Sequence, residues 1–194
     1  MNISPELVST FIHNRRSIYP NQFTGEPVDD QIIEQLLENA NWAPTHKLTE
    51  PWRFRVFKGE GIAKLSKFQA ELYRMVSIKK DSFDPEKYKK LQAKPKLCSH
   101  IISIGMKRNL IVPEVEEIAA VSCAVQNMYL TASAYKIGCY WTTGGITFYD
   151  EAKAFFGLEK EDRLMGFLYL GKYNGSWPKG KRKPIEEKVE WIDH

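Results

Sequence analysis

A stretch of 18 residues without a charged side chain, from Ile118 to Tyr135, constrains the fold more than any other feature of the sequence. Its length is near the lower limit for a membrane-spanning helix. However, it contains polar residues such as Gln126 and Asn127, which are unfavourable in hydrocarbon unless neighbouring spans supply partners. A helix that is apolar all round is typical of the buried centre of a globular domain. We therefore predict one long central helix from Glu116 to Lys136, closed by Gly138 in the left-handed C-terminal position, and no membrane span.

Hydrophobic periodicity predicts the remaining elements. Helices are expected at 5–14, 30–43, 62–78 and 150–156, and strands at 52–57, 100–105, 139–143 and 166–170. Strands separated by helices, with a single dominant helix, favour an α+β layer fold in one domain over residues 1–194. The charged, proline-punctuated segment 78–96 is a candidate mobile lid. The tail 172–194 has too few apolar residues to pack on itself, so it is either frayed or lies across a partner subunit; we favour the partner.

Composition excludes several classes of protein. At 194 residues and 43% hydrophobic content the chain needs no disulfides to fold. Its three cysteines are widely spaced, which argues against a disulfide framework or a zinc cluster, and Cys98 and Cys123 are expected as buried, inert thiols. With no signal peptide recognised, a cytoplasmic location is predicted. The isoelectric point of 8.8 reflects charge in 78–96 and 172–188. No interleaved aromatics accompany it, so we expect solvated faces rather than nucleic-acid binding.

The familiar catalytic patterns are absent. The four histidines lack metal-ligand spacing, and there is no nucleophile elbow, phosphate loop or dinucleotide-binding glycine fingerprint. An enzyme with this sequence would therefore use a bound cofactor as its reactive group, and the chain would supply the pocket.

Three clusters are candidate parts of such a pocket. Arg15-Arg16-Ser17 follows the first helix, and guanidinium groups suit a phosphate, although such a triplet is usually only a solvated helix end. The polar turn 41–47 leads to Pro51-Trp52, which is otherwise an ordinary connection. The segment 140–145 ends in two glycines, whose small size lets a planar ligand approach the backbone.

Together these clusters resemble the FMN-dependent nitroreductase family, in its shorter bacterial subgroup. The matching segments are Arg15-Arg16-Ser17, Ala43-Pro44-Thr45, Pro51-Trp52-Arg53-Phe54, the helix 119–134, Gly138-Cys139-Tyr140-Trp141, the segment 166–171 and the tail segment 181–187. They span nearly the whole chain in the order that is expected for the family.

The resemblance implies a homodimer with an α+β sandwich around a long central helix, with FMN at the subunit interface. It assigns nine residues to FMN: Arg15, Arg16, Ser17, Asn41, Thr45, Trp141, Thr142, Thr143 and Arg182. Residues 15–17 would hold the phosphate and ribityl chain or the pyrimidine edge, and 141–143 would line the ring. Asn41 and Thr45 would come from the partner. Arg182 would bring a second positive charge to the phosphate, and Lys181 beside it is an additional candidate for that contact.

The implied activity is hydride transfer from NAD(P)H through FMN to a nitroaromatic, quinone or similar acceptor, in a ping-pong sequence. The alternative is a non-catalytic FMN-binding or carrier protein of the same fold. Two positions depart from the family pattern, Leu48 and Glu50. The Glu50 carboxylate could repel a reduced, anionic flavin, or it could pair with Arg53 or Arg55 and lie away from it.

Overall fold

The computed structural model describes residues 3–193. The first two residues of the predicted domain and His194 at the end of the predicted tail lie outside this range. The helices are α1 (Pro5–Asn14), α2 (Asp30–Asn41), α3 (Glu60–Lys79), α4 (Pro85–Ala93) and α5 (Glu114–Ala134). The strands are β1 (Trp52–Lys58), β2 (His100–Met106), β3 (Ile137–Thr142) and β4 (Arg163–Lys172). Short 3-10 turns lie at Pro20–Gln22, His46–Leu48, Lys94–Leu97, Asp150–Phe156 and Ile185–Lys188.

The four strands form one antiparallel sheet in the order β1-β2-β4-β3. Because side chains alternate along each strand, the two central strands contribute residues to a hydrophobic core on each face of the sheet. Ile102 and Leu168 pack with α2 and α5, whereas Ile101 and Phe167 pack with α3. The predicted α+β fold is confirmed.

The central helix α5 has one buried face and one open face in the single chain. Ala124 and Met128 are fully buried in the core shared with α2. Val115, Ile118 and Cys123 recur at helical spacing on the other side and are exposed. The prediction of burial on all sides, with Cys123 in the core, is therefore wrong for the single chain. Within the described residues, no helix is long and apolar enough to cross a membrane.

Gly138 has a different role from the one predicted. The helix ends earlier, at Ala134, and the left-handed position is taken by Lys136, with φ of 54°. Gly138 lies inside β3 and pairs with Gly171 of β4. A Cβ at either glycine would overlap the ring of Phe23, so the pair makes room for that ring on the sheet.

The predicted lid segment contains helix α4, which is held against α3. Tyr88 Oη donates to Glu71 Oε1 at 2.6 Å, and Ser66 Oγ donates to the Gln92 carbonyl at 2.5 Å. Leu91 also reaches the loop after β3, since a Cβ built on Gly145 would lie 3.1 Å from its side chain. A lid movement, which stays a prediction, would therefore have to break these contacts.

Candidate active site

The C-terminal segment folds back over the end of α1. Trp177 Nε1 donates to the carbonyl of Asn14 at 2.6 Å, and Arg16 Nε donates to the carbonyl of Pro178 at 2.7 Å. Gly180 lies so close that a Cβ there would overlap the Arg16 guanidinium. Residues 177–180, which we call the tail clamp, therefore bring the following basic residues beside the start of the Arg15-Arg16-Ser17 segment.

Arg16 serves both the helix end and the tail. Its Nη1 donates to the carbonyls of His13 and Arg15, both at 2.6 Å, where α1 has run out of intrahelical donors. A cation at a helix C-terminus is also favoured by the helix dipole. Three of the five guanidinium N–H groups thus contact backbone carbonyls. Within the described part of the chain the two on Nη2 make no hydrogen bond, so they can donate to a ligand.

The clamp and α1 enclose a cavity of about 1300 Å³ together with the end of α5. Six basic residues line it: Arg15, Arg16, Lys136, Lys179, Lys181 and Arg182. Among residues 3–193, no aspartate or glutamate lines this cavity. A cleft with charges of one sign concentrates ligands of the opposite sign, so the cavity is suited to an anion.

Tyr129, which sequence reasoning missed, joins two of the predicted clusters. Its Oη accepts the backbone N–H of Trp141 at 2.6 Å and lies 3.3 Å from Ser17 Oγ. The Arg15 guanidinium lies over its ring, 5.1 Å from the centroid. Burial raises the pKa of the Tyr129 phenol to about 12. In the sequence this residue is one apolar position of the central helix, so nothing there distinguished it from core.

Close packing of β3 on β4 positions the predicted ring-lining segment. Trp141 Nε1 donates to the carbonyl of Met165 at 3.0 Å. Gly166, with φ of 114°, allows the Thr142 carbonyl to approach where a Cβ would overlap it. Thr142 is half-buried and Thr143 is exposed. The indole of Trp141 therefore packs against the core, and of the two threonines only Thr143 is exposed.

Asn41 and Thr45 make local hydrogen bonds and lie outside the basic cavity. Asn41 Oδ1 accepts the indole N–H of Trp52 at 3.1 Å, and Thr45 Oγ1 accepts the backbone N–H of Glu50 at 3.2 Å. Neither belongs to the described residues that line the basic cavity. Within one chain, then, the structure brings together Arg15, Arg16 and Arg182 at the cavity and joins Ser17 to Trp141 through Tyr129. Asn41 and Thr45 belong to another cluster.

The loop that follows Thr45 is strained. Lys47, Leu48 and Glu50 have φ of 50°, 53° and 42°, in the left-handed region. Each such non-glycine residue costs about 1–2 kcal/mol, and strain of this kind clusters at ligand sites. Leu48 is 82% exposed at the tip. The Nδ1 atom of His46, at the start of this loop, lies 3.0 Å from Glu116 Oε2 on α5.

The structure bears on one of the two alternatives for Glu50, its pairing with Arg53 or Arg55. Arg53 Nη1 donates to the Glu50 and Trp52 carbonyls at 2.9 and 2.7 Å, and Arg55 Nη1 donates to the Phe155 carbonyl at 2.8 Å. Within residues 3–193, neither guanidinium pairs with the Glu50 carboxylate. Of the two alternatives, the pairing of Glu50 with Arg53 or Arg55 is therefore not present in the single chain, where Nη1 of each arginine donates to backbone carbonyls.

Proteins of known family resemble this chain in sequence and in fold. The model of the nitroreductase family matches residues 12–172. The chain is 33% identical over 147 residues to "Putative NAD(P)H nitroreductase YdjA" of Escherichia coli (strain K12), covering 75% of this chain and 77% of the relative. The nitroreductase-like family protein from Bacillus cereus superposes with a TM-score of 0.80 and 30% identity, over 100% of this chain and 98% of the other.

A "putative nitroreductase in complex with fmn" from Desulfovibrio desulfuricans superposes with a TM-score of 0.73 at 23% identity, over 100% and 99% of the two chains. At that identity the likeness speaks for the fold alone. The family model and the relative at 33% identity go further, because each covers most of the sequence. The chain belongs to the nitroreductase family.

Proposed function

We propose that the chain is an FMN-dependent oxidoreductase that transfers electrons from NAD(P)H to a nitroaromatic, quinone or similar acceptor. The observation that carries the proposal is the cavity of about 1300 Å³ with six basic residues and no carboxylate in its described lining. A phosphate monoester carries about 1.5 to 2 negative charges at neutral pH. Its several acceptor oxygens match the N–H donors of guanidinium groups, so the donor set fits the phosphate of FMN.

Three residues would hold the phosphate. Arg15 and Arg182 both line the cavity, one at the end of α1 and the other after the tail clamp. Arg16 would contribute through Nη2, because its other N–H donors contact backbone carbonyls. Ser17 Oγ and the Trp141 backbone both contact Tyr129 Oη. Ser17 would therefore bind FMN between the phosphate and the segment 141–143, which would line the ring.

When bound, FMN would supply a two-electron carrier that takes a hydride from NAD(P)H and passes the electrons on to the acceptor. The chain itself would orient both substrates, which use one cleft in turn in the ping-pong order. The names of the relatives, which include NAD(P)H and FMN, support this assignment.

The proposed protein is a homodimer. No residue of α1 is buried, so its apolar side chains Leu7, Phe11 and Ile12 are exposed to solvent in the single chain. One side of α5 is apolar and exposed as well. The apolar residues after 184 in the tail are exposed as well. A second copy covering these surfaces would bury them and would bring its own Asn41 and Thr45 toward the first copy's FMN.

Cysteine reactivity tests the dimer. Burial raises the pKa of the Cys98 thiol to about 12 and that of Cys139 well above its usual range, so both should react slowly. Cys123 is exposed in the single chain, like Ile118 on the same open side of α5. We expect no rapidly reacting thiol in the wild type and one in an Ile118→Glu variant that is monomeric by sedimentation. One rapid thiol in the wild type would contradict an interface on this stripe.

An anaerobic absorption spectrum tests the activity. The purified protein, or the protein incubated with FMN and desalted, should show the flavin bands, and NADH or NADPH should bleach them. Bands that persist with both nicotinamides would support the FMN carrier instead. A colourless protein that FMN does not reconstitute would contradict both.

Substitution at the cavity tests its part in binding. Arg182→Ala should weaken FMN binding by about tenfold or more, because it removes a charge-assisted contact of roughly 1.5–3 kcal/mol. Arg74→Ala, which removes an arginine from an exposed ion pair on α3, is the matched control and should leave the affinity unchanged. Equal affinities in the two variants would show that the phosphate is held elsewhere.

A further inference from the structure

Strand β1 is an open edge of the sheet. It pairs with β2 on one side, and among residues 3–193 no strand lies on its other side. The opposite edge, β3, is covered in part, because the N–H of Ile18 donates to the Cys139 carbonyl at 3.0 Å. An unpaired strand edge can add a strand from another chain.

The ladder between β1 and β2 fixes which backbone groups of β1 face outwards. The Lys107 N–H donates to the Pro51 carbonyl at 2.8 Å, so this pair, and every second pair after it, is joined by hydrogen bonds. The N–H and C=O groups of Phe54 and Val56 therefore point away from the sheet. In the described part of the chain no hydrogen bond reaches these groups, and Val56 is 41% exposed.

The charge of this edge is of one sign. β1 carries Arg53, Arg55 and Lys58 and no acidic residue. Trp52 and Phe54 pack on the core shared by α2 and α5, so the two arginines that alternate with them lie on the opposite face of the sheet. Neither arginine forms an ion pair within residues 3–193. A strand that adds here is therefore favoured if it brings a carboxylate to that face.

The end of the tail has the matching pattern. Residues 185–193 contain four acidic residues, one basic residue and no proline. Val189 is extended, with φ of −130° and ψ of 132°. In an extended strand, Val189 and Trp191 share one face and Glu190 lies on the other. Val189 and Trp191 are exposed, so the chain does not cover its own tail.

We propose that the tail segment 188–192 of a second copy adds to β1 as a fifth strand, with its Glu190 beside Arg53 and Arg55. The inference rests on the homodimer of the proposed function and identifies the surface that receives the tail. Because a two-fold dimer repeats each contact, each copy gives its tail to the other.

This pairing satisfies both parts of the open edge. The outward backbone groups of Phe54 and Val56 gain hydrogen-bond partners, and Val189 and Trp191 extend the apolar face of β1. The charges select the segment, because a basic strand at this edge would place like charges opposite each other. The preceding basic stretch 179–183 is therefore disfavoured there.

An exchange of charges between copies tests the pairing. One variant is Arg53→Glu/Arg55→Glu, and the other is Glu190→Arg. The homodimer of either variant would place like charges at both tail contacts, whereas a mixed dimer would have opposite charges at both. The two proteins are mixed, equilibrated and weighed as intact dimers by native mass spectrometry.

We expect the mixed dimer to exceed its statistical share. Replacing a like-charge contact by an opposite-charge contact favours one contact about twofold or more. Four contacts change when two homodimers become two mixed dimers, so the exchange equilibrium should shift about sixteenfold or more, and the mixed fraction should increase from about one half to about four fifths. Arg74→Glu mixed with Glu190→Arg is the matched control and should remain at about one half, because Arg74 lies on α3.

Amide hydrogen exchange, followed by nuclear magnetic resonance on the full chain, gives a second measurement that needs no substitution in β1. The amides of Phe54 and Val56 should exchange at least about tenfold more slowly in the wild type than in Val189→Pro/Glu190→Pro, whose prolines remove donors from both phases of the tail strand. The Arg55 amide, which bonds to β2, is the internal control and should exchange equally in both proteins.

The outcomes separate this inference from the proposed dimer. A wild type that sediments as a monomer would contradict the homodimer and the tail pairing together. A dimeric wild type whose charge variants mix statistically would overturn the tail pairing alone. Equal exchange at Phe54 and Val56 with and without the prolines would also overturn it, and this arm decides the matter if Arg53→Glu/Arg55→Glu fails to fold.

Discussion

Replacing Arg16 by alanine should release the tail clamp while leaving the rest of the fold intact. Of the three carbonyls that Arg16 contacts, those of His13 and Arg15 are neighbours in sequence, and only that of Pro178 belongs to the tail. A hydrogen bond from a charged donor contributes about 1.5–3 kcal/mol, and partial exposure of Arg16 favours the lower end. The loss of about 1.4 kcal/mol increases the open population of the tail about tenfold. The hydrogen bond from Trp177 to the Asn14 carbonyl remains and still holds the tail against the end of α1.

Limited trypsin digestion of the FMN-free protein measures this opening, because Lys179, Lys181 and Arg182 are cleavage sites within or beside the clamp. When opening is fast compared with cleavage, the cleavage rate follows the open population. We expect about tenfold faster cleavage in Arg16→Ala than in wild type, and urea unfolding of the variant should remain a single cooperative transition. Arg74→Ala should be cleaved in the tail at the wild-type rate. Equal rates in Arg16→Ala and wild type would refute the clamp.

Two further predictions concern a glycine and a carboxylate. Gly180→Ala should displace the Arg16 guanidinium and weaken FMN binding by about three- to tenfold in a fluorescence titration. The control is Gly61→Ala, which should bind FMN as the wild type does, because the nearest atoms to the added Cβ are 3.9 Å away. Hydrogen bonds from Lys58 and then His100 hold the pKa of the Asp30 carboxyl below its usual value of 3.8. The ionised Asp30 carboxylate therefore stabilises the folded state above about pH 4, and this stabilisation is lost as the pH falls through the lower folded-state pKa. The free energy of urea unfolding should therefore decrease less between about pH 5 and pH 3 in Asp30→Asn than in the wild type.

The sequence was sufficient for the elements that depend on local patterns. Ser4 caps α1 by accepting the N–H of Leu7, and the predicted segment 150–156 is followed by Gly157, which is left-handed with φ of 69°. Apolar periodicity also located the four strands of the sheet. Such features are set by residues a few positions apart, which is why single-sequence reasoning finds them.

Features that depend on distant residues were missed. The open face of α5 and the exposure of Cys123 depend on which side of the helix meets the sheet, and an uncharged sequence does not mark that side. Gly138 was assigned to a helix end because nothing in the sequence connects it with Phe23. The same holds for Tyr129, whose polar contacts come from segments 112 and 12 residues away.

Binding of FMN and of riboflavin, measured side by side by titration calorimetry, tests the central claim most directly. The two ligands share the ring and ribityl chain and differ in the phosphate, so their affinity ratio isolates what the basic cavity contributes. With two or more charge-assisted contacts of roughly 1.5–3 kcal/mol each, FMN should bind at least about a hundredfold more tightly than riboflavin. In Arg182→Ala that ratio should decrease about tenfold or more. Equal affinities for the two ligands in the wild type would contradict the account.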